Sequence, residues 1–126
     1  MLKKNFNDLA LLILRLGFGG MFLTHGIPKL DRLSNPEGFP DPLGVGSTTS
    51  LILVLIGEVL APILIMIGFK TKLAAIPAII TMAVAAFIVH AGDPIGTREK
   101  ALLFLFAFII VFLAGAGKFS VDGRRP

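Results

Sequence analysis

Long apolar runs separated by short polar stretches organise this chain. Leu9 to Leu23 (extendable to about Leu30), Leu51 to Phe69, Leu73 to Ala91 and Ala101 to Gly117 consist mainly of Leu, Ile, Val, Ala, Gly and Phe. Roughly 17–25 predominantly apolar residues cross a hydrocarbon core of about 30 Å, so each run reads as a membrane-spanning helix. A helix also satisfies its own backbone in lipid, which an open strand cannot do. The pattern predicts an all-α integral membrane protein, one transmembrane domain over 1–126. It folds as a four-helix up-and-down bundle with helices at about 8–30, 49–69, 73–91 and 99–117. Lys3 and Lys4 ahead of the first run also fit a signal peptide, but Arg15 interrupts that run and no small-x-small cleavage site follows.

The connections differ in kind. Lys70, Thr71 and Lys72 leave room only for an antiparallel hairpin between helices two and three. Asp31 to Ser50, by contrast, holds Pro36, Pro40, Pro42, Gly38, Gly44 and Gly46. A connection of that length is either functional or a plain polar linker. It is expected to be a long outer loop that can cover the mouth of the bundle.

Composition agrees with a membrane location. Of 126 residues, 55% are hydrophobic and 16% charged, with mean hydropathy +0.87, whereas soluble domains are about 25% charged. A water-soluble monomer is excluded. The net charge is +4, but the basic residues stand singly or in pairs, so no nucleic-acid-binding face is expected. Membrane lipids are the expected surroundings, with other membrane proteins or further copies of the chain as partners. Lys3, Lys4, Lys70, Lys72, Lys118, Arg124 and Arg125 fall on one side of the spans, against Lys29, Arg32, Arg98 and Lys100 on the other. By the positive-inside rule both termini are cytoplasmic. The chain has no cysteine, which excludes a disulfide framework, a thiolate metal site and thiol chemistry by this polypeptide alone. No metal-ligand cluster or glycine-rich dinucleotide loop is present, so neither a metal nor a flavin is expected.

Ionisable residues inside spans are costly and therefore informative. A helical rise of about 1.5 Å per residue puts Arg15 roughly 10 Å from one face and Glu58 roughly 14 Å from the other. In a core of about 30 Å an arginine can bridge the difference, so Arg15 and Glu58 are expected to form a buried ion pair. That pair is either a register-fixing device or a substrate site. Pro62 cannot bond the carbonyl of Glu58 and marks a helix break beside it. Near the opposite end of the bundle, His25, Lys29, His90 and Glu99 fall at one level and form a candidate outer-mouth polar cluster. Such a group can pass protons or bind an anion or a quinone carbonyl. Bland readings also exist: Glu99 can complement a helix dipole, and Lys29 can reach toward headgroups. The two histidines could also ligate a b-type haem, a reading weakened by their position at span ends. No residue is singled out as catalytic.

At these residues the chain resembles the DoxX family of small bacterial and archaeal membrane proteins. The resemblance lies in Arg15 to Leu30 (RLGFGGMFLTHGIPKL), Gly57-Glu58 through Gly68 and Phe69, His90, Glu99-Lys100-Ala101-Leu102, and the closing Gly117 to Asp122. It implies a multi-pass protein of the cytoplasmic membrane. It further implies that Arg15, His25, Gly26, Lys29, Glu58, His90 and Glu99 carry the family pattern. Some relatives are subunits of a thiosulfate:quinone oxidoreductase, so quinone is the cofactor the resemblance suggests. The architecture is also similar to four-helix quinone-linked thiol oxidases, but their mechanism needs cysteines and does not carry over. Three readings remain: a membrane subunit of a redox complex handling quinone or small sulfur oxyanions, a non-catalytic scaffold subunit, and a small proton-linked transporter. The transporter would need oligomers, because four helices are too few for an inverted repeat.

Overall fold

In the computed structural model residues 2–124 are described, with side chains from Phe6 onward. Helix α1 spans Leu2–Gly26 and continues as a 3-10 segment, Ile27–Ser34. Pro28, which has no N–H to give to the carbonyl four residues back, stands where the helix tightens. Helix α2 spans Ser47–Ile67 and α3 spans Thr71–Val89. Helix α4 spans Ile95–Ala114, so it starts about four residues before the expected Glu99. Pro94 precedes its first turn with φ −59° and accepts from the N–H groups of Thr97 and Arg98.

Among the described residues there is no strand, and three helices are long and apolar enough to cross a membrane: Phe6–Ser34, Ser47–Ile67 and Thr71–Val89. Helix α4 carries Arg98, Glu99 and Lys100 near its start, so its unbroken apolar stretch begins only at Ala101.

Two of the helices contain a wider π turn, at Ile56–Leu60 in α2 and at Ala85–Val89 in α3. The first explains what Pro62 does. The amide of Ala61 bonds back to Ile56, five residues rather than four, and the buried Pro62 follows at once. The expected break is therefore a π turn carrying Glu58. Such turns are rare in helices and frequent at functional sites.

At one end of the bundle α2 turns into α3 through Gly68, whose φ of +72° suits a residue without a Cβ. The amide of Gly68 bonds Ile65 and that of Phe69 bonds Leu64, closing the helix. The segment after α4 docks here. Val121 and Asp122 donate to the carbonyls of Ile67 and Gly68, and the Asp122 carboxylate accepts from the N–H groups of Lys70 and Thr71 at 2.8 Å each. An anion at the N-terminus of α3 is favoured by the helix dipole.

Interior packing follows from side-chain size. Ala74, Ala75, Ala78 and Ala86 are buried on α3, and Phe104 and Phe108 on α4. Phe22 of α1 lies between those two rings, with centroids 5.1 and 4.9 Å away. Phe106, Phe112 and Leu113 face outward, the side that lipid would cover. Gly26 of α1 lies on the backbone carbonyl of Glu58 in α2; a Cβ at Gly26 would overlap that carbonyl. A methyl there has backbone rather than a flexible side chain to displace. Gly26→Ala is therefore expected to destabilise the protein by about 1–3 kcal/mol, the usual cost of overpacking. Gly17→Ala, with open space around it inside the same helix, should leave the melting temperature in mild detergent no lower, or slightly raised.

Candidate ligand site at the loop end of the bundle

Glu58 is 4% exposed, so a partner within reach is a physical requirement. That partner is Lys29: its ammonium lies 2.7 Å from Glu58 Oε1. Lys29 sits on the 3-10 segment after α1, so the pair ties that segment to the π turn of α2. The expected Arg15–Glu58 pair is not formed. Arg15 is fully buried near the other end, where its guanidinium donates to the carbonyls of Ile65 (3.1 Å), Met66 (2.8 Å), Ala116 (2.9 Å) and Phe119 (2.6 Å). The acceptors on Ile65 and Met66 belong to the last turn of α2, where the dipole is negative, and the Ile65 carbonyl takes the guanidinium in addition to the Gly68 amide.

Two cavities meet at the Lys29–Glu58 pair. The first, about 430 Å³, lies between α2 and α3. Its walls are mainly apolar, with Leu53, Val54, Ile80 and Val84 among them, and Ser50, Lys29, Glu58 and His90 add polar groups. The second, about 340 Å³, lies between α1, α3 and α4; it is lined by His25, Lys29, Glu58, His90, Thr97 and Lys100 among others. Lys29, Glu58, Ala85 and His90 belong to both. Both π turns thus contribute to the walls.

The structure brings His25, Lys29 and His90 to one place and leaves Glu99 out. Glu99 is exposed and lines neither cavity; its neighbour Lys100 points in instead. On α4 the lining residues are Thr97, Lys100, Ala101 and Phe104, the i, i+3, i+4, i+7 spacing of one helical face. That spacing was the available signal for Thr97 and Lys100. His25 stands edge-on to Phe104, with centroids 5.9 Å apart. His90 Nδ1 is 2.8 Å from Asp93 Oδ2, which fixes the direction of the imidazole.

The long loop forms part of the first cavity. Phe39 is buried beneath it, and Pro40, Pro42 and Leu43 join the wall. One carboxylate holds the loop in shape. Asp41 accepts from the Ser50 hydroxyl at 2.7 Å and from the N–H groups of Gly46 and Val45 at 2.8 and 2.9 Å. These bonds, led by that from Ser50, hold the Asp41 carboxyl below the usual carboxylate range against a small opposing effect of desolvation.

An all-helical chain with three membrane-capable helices and a polar junction between two cavities defines a small helical membrane protein. It belongs to the DoxX family, whose model matches residues 10–91. The chain is 29% identical over 128 residues to an uncharacterized protein of Haemophilus influenzae, with 96% of this chain and 94% of the relative covered. No solved structure matches it. The family match takes in Arg15, His25, Lys29, Glu58, Pro62 and His90, whereas Glu99, Lys100 and the closing segment lie beyond it.

Two outcomes follow from this geometry. Asp41 is favoured as the anion in the folded loop, so its contribution is full above the ordinary carboxylate value of about 3.9 and is lost as pH falls through the lowered one. The protection of the Val45 and Gly46 amides, relative to their intrinsic exchange at each pH, should hold from neutral pH down to about 4 and fall only below that; in Asp41→Asn it should be low throughout. The second concerns the ion pair. Removing Lys29 strands a buried carboxylate, so Lys29→Met should cost about 3 kcal/mol or more, and adding Glu58→Gln should restore most of it. Unfolding in a graded detergent series measures both.

Proposed function

We propose that this chain is a membrane subunit of a redox complex that holds a quinone at the Lys29–Glu58 junction. The observation that supports this reading is the first cavity, apolar along α2 and α3 and polar where Lys29, Glu58 and His90 meet. A quinone has that division: carbonyl oxygens that accept hydrogen bonds on an otherwise apolar body. The Lys29 ammonium is a donor for one carbonyl, and the His90 imidazole, braced by Asp93, is a second donor or acceptor. The neighbouring cavity, with His25, Lys29 and Lys100, has the charge to receive a small anionic donor such as a sulfur oxyanion. Electrons pass through a partner subunit or the quinone itself. In this reading the loop end faces outward, both termini are cytoplasmic, and α4 completes a four-span bundle in the cytoplasmic membrane of a bacterium or archaeon.

A scaffold role is the second reading. It draws support from Arg15, whose buried guanidinium donates to four backbone carbonyls and feels the Asp122 charge, all of them groups that hold the fold. Native mass spectrometry of protein extracted gently from its own membrane, with lipid extraction of the same sample, separates the two. The redox reading expects stoichiometric quinone, and about tenfold weaker binding in Lys29→Met, the worth of one charge-assisted hydrogen bond. A quinone-free chain held in a larger complex overturns it in favour of the scaffold.

A further inference from the structure

The two cavities are open to different surroundings. The apolar one is walled on its outer side by Leu53 and Ile56 of α2 and Ile80 and Val89 of α3, which are 48%, 39%, 56% and 52% exposed. All four belong to membrane-capable helices, so in a bilayer their exposed side is the one lipid would cover. Above it, the end of the bundle is closed by the loop, with Phe39 only 8% exposed and the backbone pinned by Asp41. A solute in water therefore meets a roof, and one in the bilayer meets a seam.

The polar cavity has the reverse arrangement. His25, Thr97 and Lys100 on its rim are exposed, and all three stand at the loop end of their helices, where charged groups meet water. Inside, Phe22, Met82 and Phe104 form its floor. The Lys29–Glu58 pair is the wall that both share.

We propose that the apolar cavity takes an amphiphile with a long hydrocarbon chain, which enters sideways from the bilayer through the α2–α3 seam. Its polar head stops against Lys29 and Glu58, while the polar cavity brings water to the other side of the same pair. The inference rests on the quinone reading only for the identity of the head group; the route and the requirement for a chain come from the walls. A tail along the seam continues the burial of apolar surface beyond the cavity, at about 25 cal/mol for each Å² removed from water. A tailless head group lacks that contribution.

The absence of cysteine makes the test direct, since any introduced thiol is unique. Ile80→Cys in the seam, Thr97→Cys in the polar cavity and Leu103→Cys on the exposed face of α4 are each spin-labelled and reconstituted into phosphatidylcholine vesicles. Oxygen, which concentrates in lipid, should relax the label at position 80, and a water-soluble nickel chelate the label at position 97. Decylubiquinone should slow the label at 80 at least twofold and leave that at 103 unchanged; duroquinone, which has no tail, should do neither. If dodecanol slows the label at 80 and decylubiquinone does not, sideways access stands and the quinone reading falls. Nickel relaxation at 80 equal to that at 97 overturns the inference, as does failure of both tailed probes to slow the label at 80.

Discussion

A buried carboxylate in an otherwise apolar bundle governs the arrangement of this protein. Glu58 has left water, and the Lys29 ammonium comes to 2.7 Å from it as its counter-charge. For the lysine to reach it, the chain after α1 must tighten at Pro28 and fold back over α2. For the carboxylate to face that segment, α2 widens into a π turn ahead of Pro62. Gly26 then has to lie on the Glu58 backbone, because no side chain fits between them. One ion pair thus links the 3-10 segment, the irregular turn, the Gly26–Glu58 contact and the wall between two cavities.

The opposite end solves the same problem differently. Arg15 has as its direct partners backbone carbonyls at the C-terminus of α2 and in the segment after α4, which offer partial negative charge and unused acceptors. Asp122 completes the arrangement at the N-terminus of α3. Hydrogen bonds there join α1, α2, α3 and the closing segment, which makes that end rigid. Polar side chains that line open space gather at the loop end, among them His25, Lys29, Glu58, His90 and Lys100. A firm base and a ligand-ready mouth are what a site for a small molecule requires.

Much of this was legible in the sequence. Apolar runs placed the three membrane-capable helices, and Pro62 beside Glu58 marked the irregular turn. His25, Lys29 and His90 were assigned to one level, and they share a cavity. The partner of Glu58 was misjudged because the depth arithmetic confined both helices to a slab of about 30 Å. Glu58 actually lies level with Gly26, which is 11 residues above Arg15 on α1, or roughly 16 Å at 1.5 Å per residue. Counting from Thr49 therefore set Glu58 too deep. Arg15's true partners could not be read at all, since backbone carbonyls carry no mark in a sequence. Glu99 was chosen over Lys100 for a related reason: one residue is about 100° of helix rotation, and counting along a chain does not fix rotation.

The account depends on Glu58 pairing with Lys29 rather than with Arg15. Solid-state NMR dipolar recoupling in lipid bilayers measures this, with ¹³C in the Glu58 carboxylate and ¹⁵N in lysine or arginine side chains. Strong dephasing from lysine ¹⁵N, removed by Lys29→Met, together with none from arginine ¹⁵N, is the predicted result. Dephasing from the Arg15 guanidinium instead would contradict the account, because the pair that divides the two cavities would not exist.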